Sequence, residues 1–280
     1  MKIVAKLYSG ALKFCVKRKI SMPRSIACLI FLIPFFLHAR DHANFVVFSP
    51  PKSGTHLIAK VLELMLKKEA VMYLGNVGEP KDAFKKVEYA TKENRFLIAH
   101  MYNPDTMKLL ISRRYKVIFM VRDPRDLMVS ALNWIREGQW PHIPAIHIAN
   151  PSEQLDELIT GRRFDYRFFD WAFGNDLSIC RDLSAYAYIA HFENLVGPEG
   201  GGDRESQIKE IMGLGKAIGF KITKKRAAQI ADEAFGGTGT FRNGQIGKWQ
   251  EVFQPEHITS FKKLYGHFLI NLGYEKNMDW

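Results

Sequence analysis

Cysteine is scarce in this 280-residue chain, which has only Cys15, Cys28 and Cys180. Their wide spacing includes no C-x-x-C pair and no metal-ligand cluster, which argues against a disulfide framework and against a zinc site. Cys180 reads as a packed or idle thiol. Internal repeats and low-complexity tracts are also lacking, so solenoid and tandem-array architectures drop out. Acidic residues are missing from one region: residues 1–40 hold eight Lys or Arg and no Asp or Glu, and so carry +8 of the formal net charge of +11. The other 240 residues keep about +3, too little for the basic surface of a nucleic-acid binder.

Hydrophobic residues make up 47% of the chain and charged residues 25%, enough to bury one substantial core. The acid-free start forms a leader of its own. Ile3, Val4, Leu7, Ala11, Leu12, Cys15 and Val16 recur at helical spacing, with Lys2, Lys6, Lys13 and Lys17 between them. An uncharged stretch from Ile26 to Leu37 follows Pro23 and Arg24 and ends at His38-Ala39-Arg40. This suits the apolar region of a signal peptide and is short for a membrane span. Residues 1–40 are therefore expected to be a basic, hydrophobic leader of signal or anchor type that gives a secretory or membrane-associated location and possible membrane contact. The alternative is a buried helix or strand packed on a cytoplasmic domain, and cleavage, anchoring and docking all stay open.

From residue 44 onward, short β-branched and aromatic runs alternate with helical patterns. Strands are predicted at Asn44 to Ser49, Arg95 to Ala99, Lys116 to Val121 and Ala185 to Phe192, and a helical tail from about Arg204. This alternation implies an α/β fold: a three-layer sandwich with a central parallel sheet and ligands at the carboxyl ends of the strands. Nothing marks a domain boundary within residues 44–280.

The chemistry-bearing residues stand at those ends. Pro51-Lys52-Ser53-Gly54-Thr55 follows the first strand and opens a helix, where free backbone N–H groups and a positive helix end favour an anion. Gly54 allows close backbone approach, Lys52 adds a point charge, and the Ser53 and Thr55 hydroxyls can donate. The usual nucleotide-triphosphate loop would read G-x-x-x-x-G-K-[ST]. Here the lysine precedes the glycine, which disfavours an ATP or GTP enzyme.

The segment Pro51-Lys52-Ser53-Gly54-Thr55-His56-Leu57 resembles the first signature, P-K-S-G-T-T-W, of the sulfotransferase family that uses 3'-phosphoadenosine 5'-phosphosulfate (PAPS). Arg122, Pro124, Asp126 and Ser130 match the family's R-x-P-x-D-x-x-x-S pattern, and Arg242 and Gly244 match its R-K-G-x-x-G-x-W segment, with Asn243 in place of the lysine. Phe192-Glu193-Asn194-Leu195 is similar to its Y-E-D-L segment and is expected to be structural or adenine-side. His100 stands where the family has the histidine of T-H-L-P, flanked here by Ala99 and Met101.

The resemblance implies a P-loop-like sulfotransferase architecture over residues 44–280 and transfer of a sulfuryl group from PAPS to an acceptor hydroxyl or amine. The acceptor would be a small molecule, or a carbohydrate or protein hydroxyl, and the product nucleotide adenosine 3',5'-bisphosphate (PAP). It also implies residue roles. Lys52, Ser53, Gly54, Thr55 and His56 would hold the 5' side of the cofactor, and Arg122, Ser130, Arg242, Asn243 and Gly244 its 3'-phosphate. Lys52 and His100 would be catalytic, the histidine as general base, with His56, His142 and His147 as competitors. No metal is implied. Leu57 replaces the tryptophan that packs on adenine in the family, so base packing must be weaker or supplied elsewhere. The rivals are a nucleotide-dependent kinase and a non-catalytic membrane or polyanion binder on the same fold.

The leader gives a direct test. Fractionation of the full chain and of one beginning at Arg40 should place only the full chain with membranes or in the secretory route. If both stay soluble in one compartment and the shorter chain unfolds, the segment belongs to the core.

Overall fold

In a computed structural model, the described residues are 43–73, 80–100, 104–173, 186–237 and 244–280. The leader at residues 1–40 lies outside them. Among the described residues no helix is long and apolar enough to cross a membrane.

Five parallel strands form the sheet: β1 (Phe45–Phe48), β2 (Ala70–Tyr73), β3 (Phe96–Ala99), β4 (Lys116–Val121) and β5 (Ala187–His191), in the order β2-β3-β1-β4-β5. β1 and β3 are buried along their whole length and β4 beyond its first residue, as expected where helices cover both faces of a parallel sheet. Register follows side-chain alternation. Val47 of β1 stands opposite Ile98 and Ile118 on one face, while Phe48 stands opposite Ala99 and Phe119 on the other.

The helices are α1 (Thr55–Leu66), α2 (Pro80–Lys92), α3 (Pro104–Ser112), α4 (Pro124–Arg136), α5 (Pro151–Thr160), α6 (Phe168–Phe173), α7 (Phe192–Leu195), α8 (Arg204–Ala217), α9 (Lys224–Ala234), α10 (Trp249–Val252) and α11 (Pro255–Asn271). A core built with Val46, Phe48, Phe119 and Val121 packs α2 to α6 and α11 on one face. The opposite core, built with Val47, Ile98, Ile118 and Met120, packs α1 and α7 to α9. These are the three layers expected from the sequence.

Local chemistry explains the helix starts. α4 begins where Asp123 accepts from the Arg125 amide and Pro124 takes the first turn. The Asn150, Asp203 and Thr223 side chains cap α5, α8 and α9 in the same way. α1 is different: its cap is Gly54 at φ 105, without a side-chain hydrogen bond.

Three predicted strands are found within a residue or so of their expected ends. The fourth is Ala187–His191, and Ala185 lies outside the described residues. β2 was not expected. It follows the charged Lys67-Lys68-Glu69 turn directly and pairs on one side only, with β3, and Ala70, Val71 and Met72 are only partly buried, so its run lacks the continuous β-branched and aromatic character that marks the equally short β1.

The strand order fixes where a ligand can sit. The chain leaves β1 for α1 on one face but leaves β3 and β4 for α3 and α4 on the other. The loop after β1 thus opens between the ends of β3 and β4, at the switch point of the sheet.

Candidate active site

Ser49 extends β1 by donating its amide to Ala99 O at 2.8 Å. In the tight loop that follows, Pro50 O accepts from both the Ser53 amide (3.1 Å) and the Ser53 hydroxyl (2.7 Å). The Ser49 hydroxyl lies 3.1 Å from Ser53 Oγ and 2.8 Å from Thr55 Oγ1, and all three serine and threonine side chains are buried. These hydroxyls therefore brace the loop from inside. The first intrahelical bond of α1 runs from Ile58 N to Gly54 O at 3.1 Å, so the amides of Thr55, His56 and Leu57 precede it without an intrahelical acceptor. Gly54 is required twice over. Its φ is 105°, and a Cβ there would lie 2.7 Å from the Phe192 ring and 2.8 Å from Met120 Cε.

His100 follows β3 directly, and its Nδ1 lies 2.8 Å from Ser49 O. A carbonyl only accepts, so Nδ1 carries the hydrogen and the Nε2 lone pair is left available. Burial pushes this imidazole below its ordinary 6.5; the Ser49 bond opposes the shift, while the His56 and Lys52 charges add to it. The ring is thus neutral near pH 7, in the tautomer a base needs. His56, in the first turn of α1, is lowered by burial and then by Lys52. His142 and His147 are exposed, on the loop and 3-10 turn beyond α4.

Arg122 directly follows β4, with 9% of its surface exposed. Its guanidinium donates to Lys52 O at 3.3 Å and Gln245 O at 3.1 Å and lies 4.3 Å over the Phe192 ring. Among the described residues it makes no ion pair with a carboxylate, and its buried Nε has no partner. Burial lowers its pKa, opposed by the charges of Asp126, Glu193 and Asp123. A buried cation with an orphaned donor fits an anionic ligand.

The neighbouring carboxylates are committed elsewhere. Asp123 forms a bidentate pair with Arg125, at 3.0 and 2.7 Å, and the Arg125 guanidinium lies 4.0 Å over Trp249 and 4.6 Å over Trp280. Glu193 accepts from the Asp123 amide at 2.7 Å and from Tyr274 Oη at 3.0 Å, and burial pushes its carboxyl up to about 7. Asp126, 1% exposed, accepts from the amides of Gly247 (2.7 Å) and Trp249 (2.9 Å). It thereby ties the segment after Gly244 to α4. Ile246 N donates to Gly200 O at 3.0 Å and holds the same segment to the loop after α7.

Ser130 is half-buried on α4, two turns into the helix. One turn further, Trp134 carries the Lys52 ammonium 3.8 Å over its ring, and Trp140 lies 6.0 Å from the same ammonium. The structure thus brings Lys52, Ser53, Gly54, Thr55, His56, His100 and Arg122 to one end of the sheet, with Gly244 next to Gln245, whose carbonyl accepts from Arg122, and Ser130 one turn before Trp134 on α4. Arg242 and Asn243 lie outside the described residues. The sequence reading missed Trp134 as a partner of Lys52, although its spacing of four from Ser130 places it on the same helix face. It also missed the anchoring bonds of Asp126, which only the fold reveals.

The comparisons bear on this arrangement. The sulfotransferase domain family model matches residues 42–142, the span from β1 through α4. Mouse sulfotransferase SULT7A1 complexed with PAP is 19% identical, with a TM-score of 0.58 over 84% of this chain and 86% of that one. Retinol dehydratase in complex with androsterone and inactive cofactor PAP is 14% identical, with a TM-score of 0.53 over 80% of each chain. Its complex with retinol and PAP gives 15%, 0.53 and the same coverage. No curated protein matches by sequence. The resemblance to sulfotransferases is shown by the family model over the first two motifs, and the solved structures share the P-loop-like fold.

Asp126→Ala should destabilise the protein by about 1–3 kcal/mol, because two backbone amides lose their acceptor. Urea unfolding reads this directly, and a loss under about 0.5 kcal/mol would mean that the segment is held by other contacts.

Proposed function

We propose that this chain, with its sulfotransferase domain match and sulfotransferase fold, is a sulfotransferase that uses PAPS as donor and a hydroxyl or amine as acceptor. One arrangement carries the reading. Three adjacent strand ends bear His100, the Pro51–Thr55 loop and Arg122, with the loop between a base and a cation.

PAPS, when bound, supplies an activated sulfuryl group, and the residues here are suited to hold and orient it. The Thr55, His56 and Leu57 amides, which have no intrahelical acceptor, and the Lys52 ammonium would hold the 5'-phosphosulfate end. Arg122 and Ser130 would take the 3'-phosphate, with Gly244 and, next to it in sequence, Arg242 and Asn243. His100, with its Nε2 lone pair available, would take the proton of the acceptor as the sulfuryl group passes to it and PAP leaves. Lys52 would offset the negative charge that builds up on the departing nucleotide. Positioning and electrostatics supply most of the rate. The androsterone and retinol carried by the retinol dehydratase structures favour testing small hydroxyl compounds before carbohydrates or proteins. We infer that residues 1–40 direct the enzyme to a membrane or the secretory route. Radiolabelled PAPS with a broad acceptor panel, against a Lys52→Ala control, tests the reading as a whole; wild-type transfer no greater than the control's would overturn it.

Arg122→Ala and Ser130→Ala should each weaken PAP by about 1.5–3 kcal/mol while barely changing the affinity for adenosine 5'-monophosphate. Equal losses for both nucleotides by calorimetry would remove the 3'-phosphate assignment.

His100→Ala should keep PAP affinity and lower turnover by about 10²–10⁴ fold. Because the imidazole is held below its ordinary 6.5, its base form persists through neutrality. Wild-type activity should therefore fall only as the pH drops below that value, and this acid limb should vanish in the variant. Unchanged turnover of an alcohol acceptor in His100→Ala would move the base to His56, His142 or His147.

A further inference from the structure

Lys52 is held at two points. Its backbone adopts φ 69, a left-handed conformation that a non-glycine residue keeps only when its surroundings enforce it. Arg122 Nη1 donates to its carbonyl at 3.3 Å. At the other end of the side chain, the ammonium sits 3.8 Å from the Trp134 ring centroid, close enough for attraction to the π face. Trp134 is itself braced. Its ring meets Trp140 edge-on with centroids 6.2 Å apart, and Trp140 packs at 5.5 Å on Phe168, which is fully buried. Trp134 and Ser130 lie four residues apart on one face of α4, so the indole brings the ammonium to the side of the crevice that carries Ser130.

We propose that Trp134 is the positioning residue of Lys52, its indole face fixing the ammonium where the 5'-phosphate end of the nucleotide arrives. This rests on the PAPS reading above. A lysine side chain has four rotatable bonds and would otherwise have to be ordered when the nucleotide binds. The indole orders it beforehand, and one face of an ammonium lying on a ring still points away from that ring. Trp140 serves as the wall that keeps the indole upright.

The test uses the full chain, PAP, and adenosine 3'-monophosphate, which lacks the 5'-phosphate. Trp134→Leu should weaken PAP about three- to tenfold by calorimetry and leave adenosine 3'-monophosphate unchanged. Trp134→Phe, which keeps a π face, should recover most of the loss. In a Lys52→Met background, Trp134→Leu should add nothing, because the group it positions is gone. In wild-type protein with ¹³C-labelled lysine, one ε-methylene signal should be shifted upfield by the indole ring current, and it should disappear in both Lys52→Arg and Trp134→Leu. If Trp134→Leu weakens both nucleotides alike, or weakens PAP equally with and without Lys52, Trp134 does not act through the lysine and the proposal fails. If the wild-type chain does not bind PAP, the PAPS reading itself fails, a result separate from binding without coupling.

Discussion

A guanidinium taken out of water must be compensated or it unfolds its own site, and Arg122 is such a group at the centre of this molecule. It reaches the loop after β1 through Lys52 O, the segment before α10 through Gln245 O, and the start of α7 through the Phe192 ring. Pieces of chain far apart in sequence meet on one cation. Its charge is balanced at a distance by Asp123, Asp126 and Glu193. Each of these is engaged elsewhere, in pairing with Arg125, in anchoring two amides, or in accepting from Asp123 N and Tyr274 Oη. Because no carboxylate among the described residues pairs with the guanidinium, its orphaned Nε and its charge fit an incoming anion.

The same economy governs the other side of the loop. Ser49 O receives the Nδ1 hydrogen of His100, and the Ser49 hydroxyl meets Ser53 and Thr55. One residue at the end of β1 therefore sets the tautomer of His100 and the shape of the Pro51–Thr55 loop together. A change in loop geometry would be felt at the histidine. The short α1 cap at Gly54, wedged against Phe192, links this loop in turn to the residue that stacks under Arg122.

What was legible in the sequence is what lies contiguous in it. The Pro51–Thr55 run and the Arg122–Ser130 spacing announce strand, turn and helix with chemistry at the turn, and the structure places both at neighbouring strand ends. β2 was illegible because a half-buried edge strand that directly follows a charged turn lacks the continuous β-branched and aromatic run that marked β1. The tautomer of His100 depends on a carbonyl 51 residues away, and the role of Asp126 on amides 121 and 123 residues away. No local periodicity encodes such contacts. Trp134 read as one more apolar position of an amphipathic helix; only the fold shows that it meets a lysine from another strand end. The Ser53 and Thr55 hydroxyls read as ligand donors, whereas their bonds turn inward.

The position of Leu57 follows the same logic of two faces. It stands in the first turn of α1, half-buried against the core that holds Val47, Ile58 and Phe192. A tryptophan there could offer a flat ring to a purine while its other edge packed inward. A leucine offers a smaller apolar surface and no ring to stack on. On the proposed reading, the α1 side would therefore contribute less to gripping a base than to shaping the Pro51–Thr55 loop. On that reading, the burden of holding a nucleotide would shift toward its phosphates, and so toward Arg122 and Lys52, which the fold holds through the Lys52 carbonyl and the Trp134 ring.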